Sequence, residues 1–235
     1  MKVFIGVGHG GSDPGALSHL VEKDVNLVEA LACRDFLEAH GVQVLLSRTS
    51  DEADPLTDEI KECNAFNPDL AIDIHNNAGG GDGFECFYHY NGGTGKTLAQ
   101  NIEAEVKAIG QNSRGCKIRL NSSGTDYYGF VRETACPAVI VEGCFVDNTS
   151  DVQIADSIEE QKAFGVAYAK GILKTLGISI KENQAQLKPS SNAKYYVQVG
   201  AYESKENAEK QLQKAKDAGF TDAFIRVVAQ TNSRT

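Results

Sequence analysis

Short apolar runs alternate with amphipathic segments along most of the 235-residue chain. Five of the runs have the length of β-strands, at residues 2–8, 42–47, 69–75, 83–90 and 138–142. Four segments space their apolar residues at the helical period, at residues 22–40, 55–66, 95–109 and 158–176. Strands separated by helices predict an α/β fold with a single twisted, mostly parallel sheet flanked by helices.

The pattern changes after about residue 180. Residues 181–193 are polar, include Pro-Ser-Ser and lack an apolar period, which predicts a linker. Beyond it, strand-like runs at residues 195–202 and 223–228 flank a helix-like segment at residues 204–220. The predicted domains are therefore a main domain over residues 1–180 and a small β-α-β module over residues 194–235. A module of that size is near the lower limit for a core that is stable alone.

Composition limits where the chain acts and what it binds. Hydrophobic residues make up 41% of the chain, but no apolar run approaches the roughly 20 residues that span a bilayer, so no membrane insertion is expected. The first residues, Met-Lys-Val-Phe-Ile-Gly-Val-Gly, predict a strand and lack the cleavage site of a secretory signal. We expect synthesis in the cytoplasm without a signal, or a signal that was removed.

The net charge of −9 is unevenly distributed. Residues 181–235 contain nine basic and six acidic residues, so they carry +3 and leave −12 for residues 1–180. Nucleic-acid binding requires clustered Lys and Arg, so an acidic main domain argues against a nucleic-acid partner.

The cysteines do not predict a metal site. No two of them have CxxC spacing, and we expect small, partly buried, reduced thiols. They are Cys33, Cys63, Cys86, Cys116, Cys136 and Cys144.

Two histidines and two glutamates form the candidate chemistry. His9 follows the first predicted strand and His75 ends the third, and the carboxyl ends of parallel strands meet at one edge of a sheet. With Glu22, which opens the first predicted helix, they form a three-ligand set typical of hydrolytic zinc, where the fourth position is left to water. Glu142 follows a buried apolar run, and a carboxylate in that place suits a general base whose pKa burial raises.

Other residues offer alternatives to this constellation. The run from Gly6 to Gly11 also matches GxGxxG, a dinucleotide-binding pattern, although the chain continues Ser-Asp-Pro-Gly and the second strand ends in Ser47-Arg48 and not in an acid. His19 lies three residues before Glu22 and competes as a ligand. The two remaining histidines, His40 and His89, are expected to be structural.

Four segments together resemble the zinc-dependent N-acetylmuramoyl-L-alanine amidases of bacterial cell-wall turnover and phage endolysins. They are GHGGSDPGA (8–16), EKDVNL (22–27), IHNNA (74–78) and PAVIVEGCFVDNTSD (137–151). The resemblance covers about residues 1–176. It implies one Zn²⁺ per chain bound by His9, Glu22 and His75, with Glu142 as the catalytic carboxylate. Asn77, which follows His75 by two residues, is a separate candidate for substrate binding.

The chain departs from the pattern of that family at several positions. An Arg usual in the second helix is absent, and Glu59 stands near its place. Cys63 replaces an Ala, and Asp73 stands where a Ser is common before the second histidine motif. None of these changes removes a residue of the candidate metal site.

The C-terminal segment YYVQVGAYESKENAEKQLQKAKDAGF (195–220) resembles the SPOR repeat, which binds peptidoglycan. Only about half of a repeat is present. The two resemblances together imply an enzyme that cleaves the amide between N-acetylmuramic acid and L-alanine in peptidoglycan, acting on the wall as a released phage lysin or as a secreted autolysin. Two alternatives remain open: a non-catalytic wall-binding protein on the same scaffold, and a zinc peptidase that cuts within the stem peptide.

Overall fold

The computed structural model describes residues 1–180 and 204–220 of the chain, which divides into two compact units, Met1–Glu182 and Asn183–Thr235. The strands are β1 (Lys2–Val7), β2 (Gln43–Leu46), β3 (Leu70–Asn77), β4 (Phe84–Tyr88), β5 (Ser113–Lys117) and β6 (Ala138–Phe145). The helices are α1 (Glu22–Ala39), α2 (Leu56–Phe66), α3 (Gly93–Ala108), α4 (Gly129–Glu133), α5 (Thr149–Val152), α6 (Ile158–Thr175) and, in the second unit, α7 (Lys205–Asp217). None of these helices combines the length and the apolarity that a bilayer span requires.

The strands of the first unit form one sheet in the order β2-β1-β3-β6-β4-β5. Strands β2, β1, β3 and β6 are parallel, whereas β4 runs antiparallel to β6 and parallel to β5. The predicted fold class, a mostly parallel sheet flanked by helices, is confirmed. The pair β4–β5 runs opposite to the other strands, so the sheet is mixed. Strand β4 lies next to β6, and β5 forms the edge of the sheet.

Apolar side chains cover both faces of the sheet. One buried cluster joins the sheet to α1, α3 and α6 through residues such as Leu37, Leu98 and Ile172. A smaller cluster on the opposite face includes Ile60 of α2 and Phe130 of α4. Helices on both faces explain why the central strands are almost continuously apolar.

Three short elements were not predicted, and two strands are longer than predicted. Strand β5 has the sequence Ser-Arg-Gly-Cys-Lys, which lacks an apolar pattern, and among the described strands it pairs only with β4. Helices α4 and α5 span five and four residues, too few to display a period. Strands β3 and β6 continue to Asn77 and Phe145, so the predicted ends at residues 75 and 142 were wrong.

In the second unit, α7 confirms the helix predicted at residues 204–220. The predicted linker at residues 181–193 and the predicted strands at residues 195–202 and 223–228 lie outside the described residues. The boundaries of the two domains stay predictions.

A buried polar network ties α1 to β3 and α6. Asn76 Nδ2 donates to Asn26 Oδ1 at 2.9 Å and to Glu29 Oε2 at 3.4 Å, and Asn26 Nδ2 donates to the carbonyl of Gly8 at 3.0 Å. Tyr168 OH donates to Glu29 Oε2 at 3.2 Å. Within the described residues, the other oxygen of Glu29 has no hydrogen-bond partner. Burial raises the pKa of Glu29 to about 8, so its carboxyl is protonated at neutral pH.

This protonation predicts a pH-dependent stability that Glu29→Gln removes. In the folded state Glu29 keeps a proton that an unfolded glutamate, with a pKa of 4.5, releases. The contribution of Glu29 to the free energy of unfolding is therefore fully present below about pH 4.5 and is lost as the pH rises towards 8. The slope is at most about 1.4 kcal/mol per pH unit. Urea unfolding of chelator-treated protein should show Glu29→Gln matching the parent at pH 5 and exceeding its stability at pH 9. Glu38→Gln, an exposed change on the same helix, should parallel the parent at both pH values.

Candidate metal centre

Two imidazoles converge on one carboxylate oxygen at the carboxyl ends of β1 and β3. The Oε1 atom of Glu22 lies 3.2 Å from His9 Nε2 and 3.0 Å from His75 Nδ1. One ligand atom from each of the three residues lies within 4.8 Å of the other two, and no other group of the described residues has this property. The structure therefore brings together the three residues that the sequence predicts as metal ligands.

Two glycines make this close approach possible. A Cβ added to Gly8 would overlap the ring of His75, and one added to Gly15 would overlap the ring of His9 and the carboxylate of Glu22. His9 follows β1 in a left-handed conformation, with φ of 65°. The glycine-rich loop thus gives the ligands room, while α1 begins only at Glu22 and so does not open at the glycines as a dinucleotide-binding helix does.

Each of the two imidazoles of the site lies between two carboxylates. Burial alone would raise the pKa of Glu22, but hydrogen bonds with His75 and His9 outweigh it and hold the pKa well below its usual range. The other ring nitrogens also face carboxylates: His9 Nδ1 lies 2.9 Å from Asp13 Oδ2, and His75 Nε2 lies 3.3 Å from Asp73 Oδ2. Imidazoles backed by carboxylates, together with one buried carboxylate ligand, are a donor set that fits zinc.

Glu142 lies beside His75. Strands β3 and β6 pair these two residues directly, so both side chains project from the same face of the sheet, and both line one cleft. Burial raises the pKa of Glu142 to about 7, against the lowering effect of His75. A carboxyl group that titrates near neutral pH can both accept and return a proton.

Asn77 lies at the end of β3, with its side chain already bonded. Its Nδ2 donates to Glu85 Oε2 at 3.2 Å, and its Oδ1 accepts from the backbone of Ala78 at 2.8 Å. Substrate binding by Asn77 stays a prediction. Glu85, which sequence reasoning missed, also accepts hydrogen bonds from Arg114 and Lys117, and these cations lower its pKa against the effect of its burial.

The cleft beside the metal group is lined by acidic and apolar residues. Asp54, Glu59 and Asp73 contribute carboxyl groups, and Leu56 and Tyr128 contribute apolar surface.

The remaining histidines and the cysteines are not members of the metal group. His89 Nε2 lies 3.1 Å from Asp126 Oδ2, and the ring of His40 contacts the carbonyl of Phe36 at 2.8 Å. His19, the predicted competitor, is held through its backbone by Val146. All six cysteines are free thiols in the structure.

Comparison with known proteins identifies the family. The sequence model of the N-acetylmuramoyl-L-alanine amidase family matches residues 3–174, and that of the SPOR domain matches residues 191–235. The chain belongs to the N-acetylmuramoyl-L-alanine amidase family. Two amidase relatives cover 96% of the chain and are themselves covered to 84%: CwlM of Bacillus licheniformis, 37% identical over 230 residues, and the sporulation-specific N-acetylmuramoyl-L-alanine amidase of Bacillus subtilis, 36% identical over 230 residues.

Solved structures of amidases share the fold. Cwp6 from Clostridium difficile matches 74% of the chain with a TM-score of 0.73 and 37% identity, and 29% of the Cwp6 chain is covered. The amidase AmiC2 of Nostoc punctiforme matches 75% of the chain with a TM-score of 0.68 and 29% identity, and 97% of AmiC2 is covered. The match therefore lies in the catalytic fold of the amidase family.

The ring of His75 lies against the backbone of Gly8, so we expect Gly8→Ala to lose the metal. The added methyl group overlaps the imidazole of His75, so the ring must move away from Glu22. We expect the zinc content after dialysis, measured by mass spectrometry, to fall from about one per chain to a small fraction of that value. Gly95→Ala is the matched control, because its Cβ would meet only ordinary contacts, the nearest at 3.5 Å. Full zinc retention by a folded Gly8→Ala variant would contradict the assignment of His75.

Proposed function

We propose that the protein is a zinc-dependent amidase that hydrolyses the bond between the lactyl group of N-acetylmuramic acid and L-alanine in bacterial peptidoglycan. The observation that carries this proposal is the convergence of His9, Glu22 and His75 beside Glu142 in one open cleft. Membership of the amidase family over residues 3–174 supports the reaction class and the substrate.

The metal group would hold one zinc ion per chain through His9 Nε2, a carboxylate oxygen of Glu22 and His75 Nδ1. When bound, zinc polarises a carbonyl oxygen and lowers the pKa of a coordinated water to about 7. Three protein ligands leave a position for water, as catalytic zinc sites do, whereas structural zinc sites have four protein ligands. The ring nitrogens that do not face Glu22 lie 2.9 Å from Asp13 Oδ2 and 3.3 Å from Asp73 Oδ2.

Glu142 moves the protons of the reaction. In its ionised form it accepts a proton from the water that attacks the amide carbon, and it then donates that proton to the departing nitrogen of L-alanine. A C–O bond forms and the C–N bond breaks, so the products are a lactyl carboxylate and a free amine. Its pKa of about 7 suits both halves of this transfer.

The C-terminal residues 194–235 would bind peptidoglycan and hold the enzyme on its substrate, separated by the linker at 181–193 from a catalytic domain at 1–180. The SPOR match at residues 191–235 supports this role. The enzyme would act on the cell wall, as a released phage lysin or as a secreted autolysin. The acidic charge of residues 1–180 argues against a nucleic-acid partner.

Removal of the proposed general base predicts loss of activity without loss of metal. Glu142→Gln keeps the size of the side chain but cannot accept the proton, so clearing of purified sacculi should slow by about 100-fold or more. The zinc content should equal that of the parent, because Glu142 is not one of the three ligands. Glu159→Gln, an exposed change on α6, should retain parental activity. Activity of Glu142→Gln within a few-fold of the parent would remove Glu142 from the mechanism.

The position of the cut predicts the products of digestion. Mass spectrometry of digested sacculi should show glycan strands with free lactyl carboxyl groups and complete stem peptides that begin with L-alanine. Shorter peptides with a new terminus inside the stem would identify a peptidase instead. Binding to sacculi with no released product, even with zinc added, would identify a non-catalytic wall-binding protein.

A further inference from the structure

Two buried acidic side chains lie behind His75, and the proposed reaction uses neither. Asp73 and Glu59 are 2% and 4% exposed. Asp73 Oδ2 lies 3.3 Å from His75 Nε2, the ring nitrogen that does not face Glu22. Buried carboxyl groups are costly unless they are paired or have a task, so their place next to a metal ligand calls for a reason.

The strands place these groups by simple geometry. Asp73 precedes His75 by two residues on β3, so both side chains project from the same face of the sheet. On the neighbouring strand β1, the register partner of Asp73 is Gly6. A Cβ added to Gly6 would overlap Glu59 Oε1 and lie 2.8 Å from Asp73 Oδ1. Because Gly6 has no side chain, there is space for the carboxyl group of Glu59, from α2, to lie near that of Asp73.

The two carboxyl groups complement each other in this space. Within the described residues, neither Glu59 Oε1 nor Asp73 Oδ1 has a hydrogen-bond partner. Burial raises the pKa of Glu59 well above its usual range, and the charge of Asp73 raises it further. A protonated Glu59 can donate to Asp73 Oδ1, which leaves Asp73 Oδ2 to accept from His75.

We propose that Asp73 is a positioning residue for the metal site: its carboxylate accepts a hydrogen bond from His75 Nε2 and so presents Nδ1 to the metal, while Glu59 holds the carboxylate in place. The inference rests on the proposed function, because it takes His75 as a zinc ligand. A carboxylate behind a ligating imidazole determines which nitrogen carries the proton and makes the ligand more basic. Asp13 stands in the same relation to His9, but its side chain is 66% exposed, so solvent screens its contribution.

The test measures zinc affinity, and not only turnover, on the full chain. Zinc is removed with a chelator, and the dissociation constant is measured by competition with a chromophoric chelator. Asp73→Leu removes the acceptor and should weaken zinc binding by about 10- to 100-fold. Asp73→Asn keeps an acceptor oxygen without the charge and should lose clearly less affinity. Asp54→Asn is the matched control, because it removes a carboxylate that lines the same cleft but does not bond to His75. The zinc affinity of this variant should match that of the parent.

A second measurement determines directly which ring nitrogen of His75 carries the proton. In the zinc-loaded parent, ¹⁵N chemical shifts of the histidine side chains, assigned with a His75→Gln variant, should show the proton of His75 on Nε2. Circular dichroism of each metal-free variant verifies that it is folded, and Glu59→Gln, which keeps a donor to Asp73, should retain most of the affinity.

Several outcomes would overturn the inference alone. One is a folded Asp73→Leu variant that binds zinc as tightly as the parent, and another is an equal loss in Asp73→Asn, Asp73→Leu and Asp54→Asn, which would reveal only a general charge effect. A parent that binds two zinc ions, one of them lost with Asp73, would show that the carboxyl pair is a metal site itself. A parent that binds no zinc would overturn the proposed function, and this inference with it.

Discussion

The contact of two imidazoles with one oxygen of Glu22 is the interaction on which the site depends. The carboxylate is buried, and an unpaired charge in that place would destabilise the fold, so the two ring nitrogens at 3.2 and 3.0 Å stabilise it. Because the partners come from the end of β1, from the start of α1 and from β3, the pairing joins three elements at one edge of the sheet. The ligand geometry is thus built by the fold and does not have to be created by the metal.

Negative charge around this contact would favour the binding of a cation. Asp13 Oδ2 lies 2.9 Å from His9 Nδ1, and Asp73 Oδ2 lies 3.3 Å from His75 Nε2. Each additional carboxylate raises the cost of leaving the site without a positive ion, and a divalent ion is the largest local charge that can offset them. The charge of −12 on residues 1–180 therefore contains a functional part, concentrated where the ligands meet.

The sequence was sufficient to predict that two histidines would lie close together, because the carboxyl ends of parallel strands meet at one edge of a sheet. His9 and His75 follow neighbouring parallel strands, and the ends of such strands meet whatever the details of packing. Glu59 and Glu85 could not be found in this way. Glu59 reaches the site only through the space above Gly6, and Glu85 only because β4 reverses direction next to β6; helix orientation and strand order are not encoded in a local pattern. The edge strand β5 was not predicted for a related reason, because its sequence has no apolar period.

The reversal of β4 bears on the chemistry of Glu142. Antiparallel pairing places Glu85 directly opposite Glu142, and two like charges in that relation repel. Arg114 and Lys117, from β5, bond to Glu85 and keep it ionised, so the proton that relieves the repulsion is taken up by Glu142. Burial is the largest cause of the raised pKa of Glu142, and the charges of Glu22, Asp73 and, least of the three, Glu85 add to it. The edge pair β4–β5 thereby adds a small contribution, through Glu85, to the raised pKa of the proposed general base.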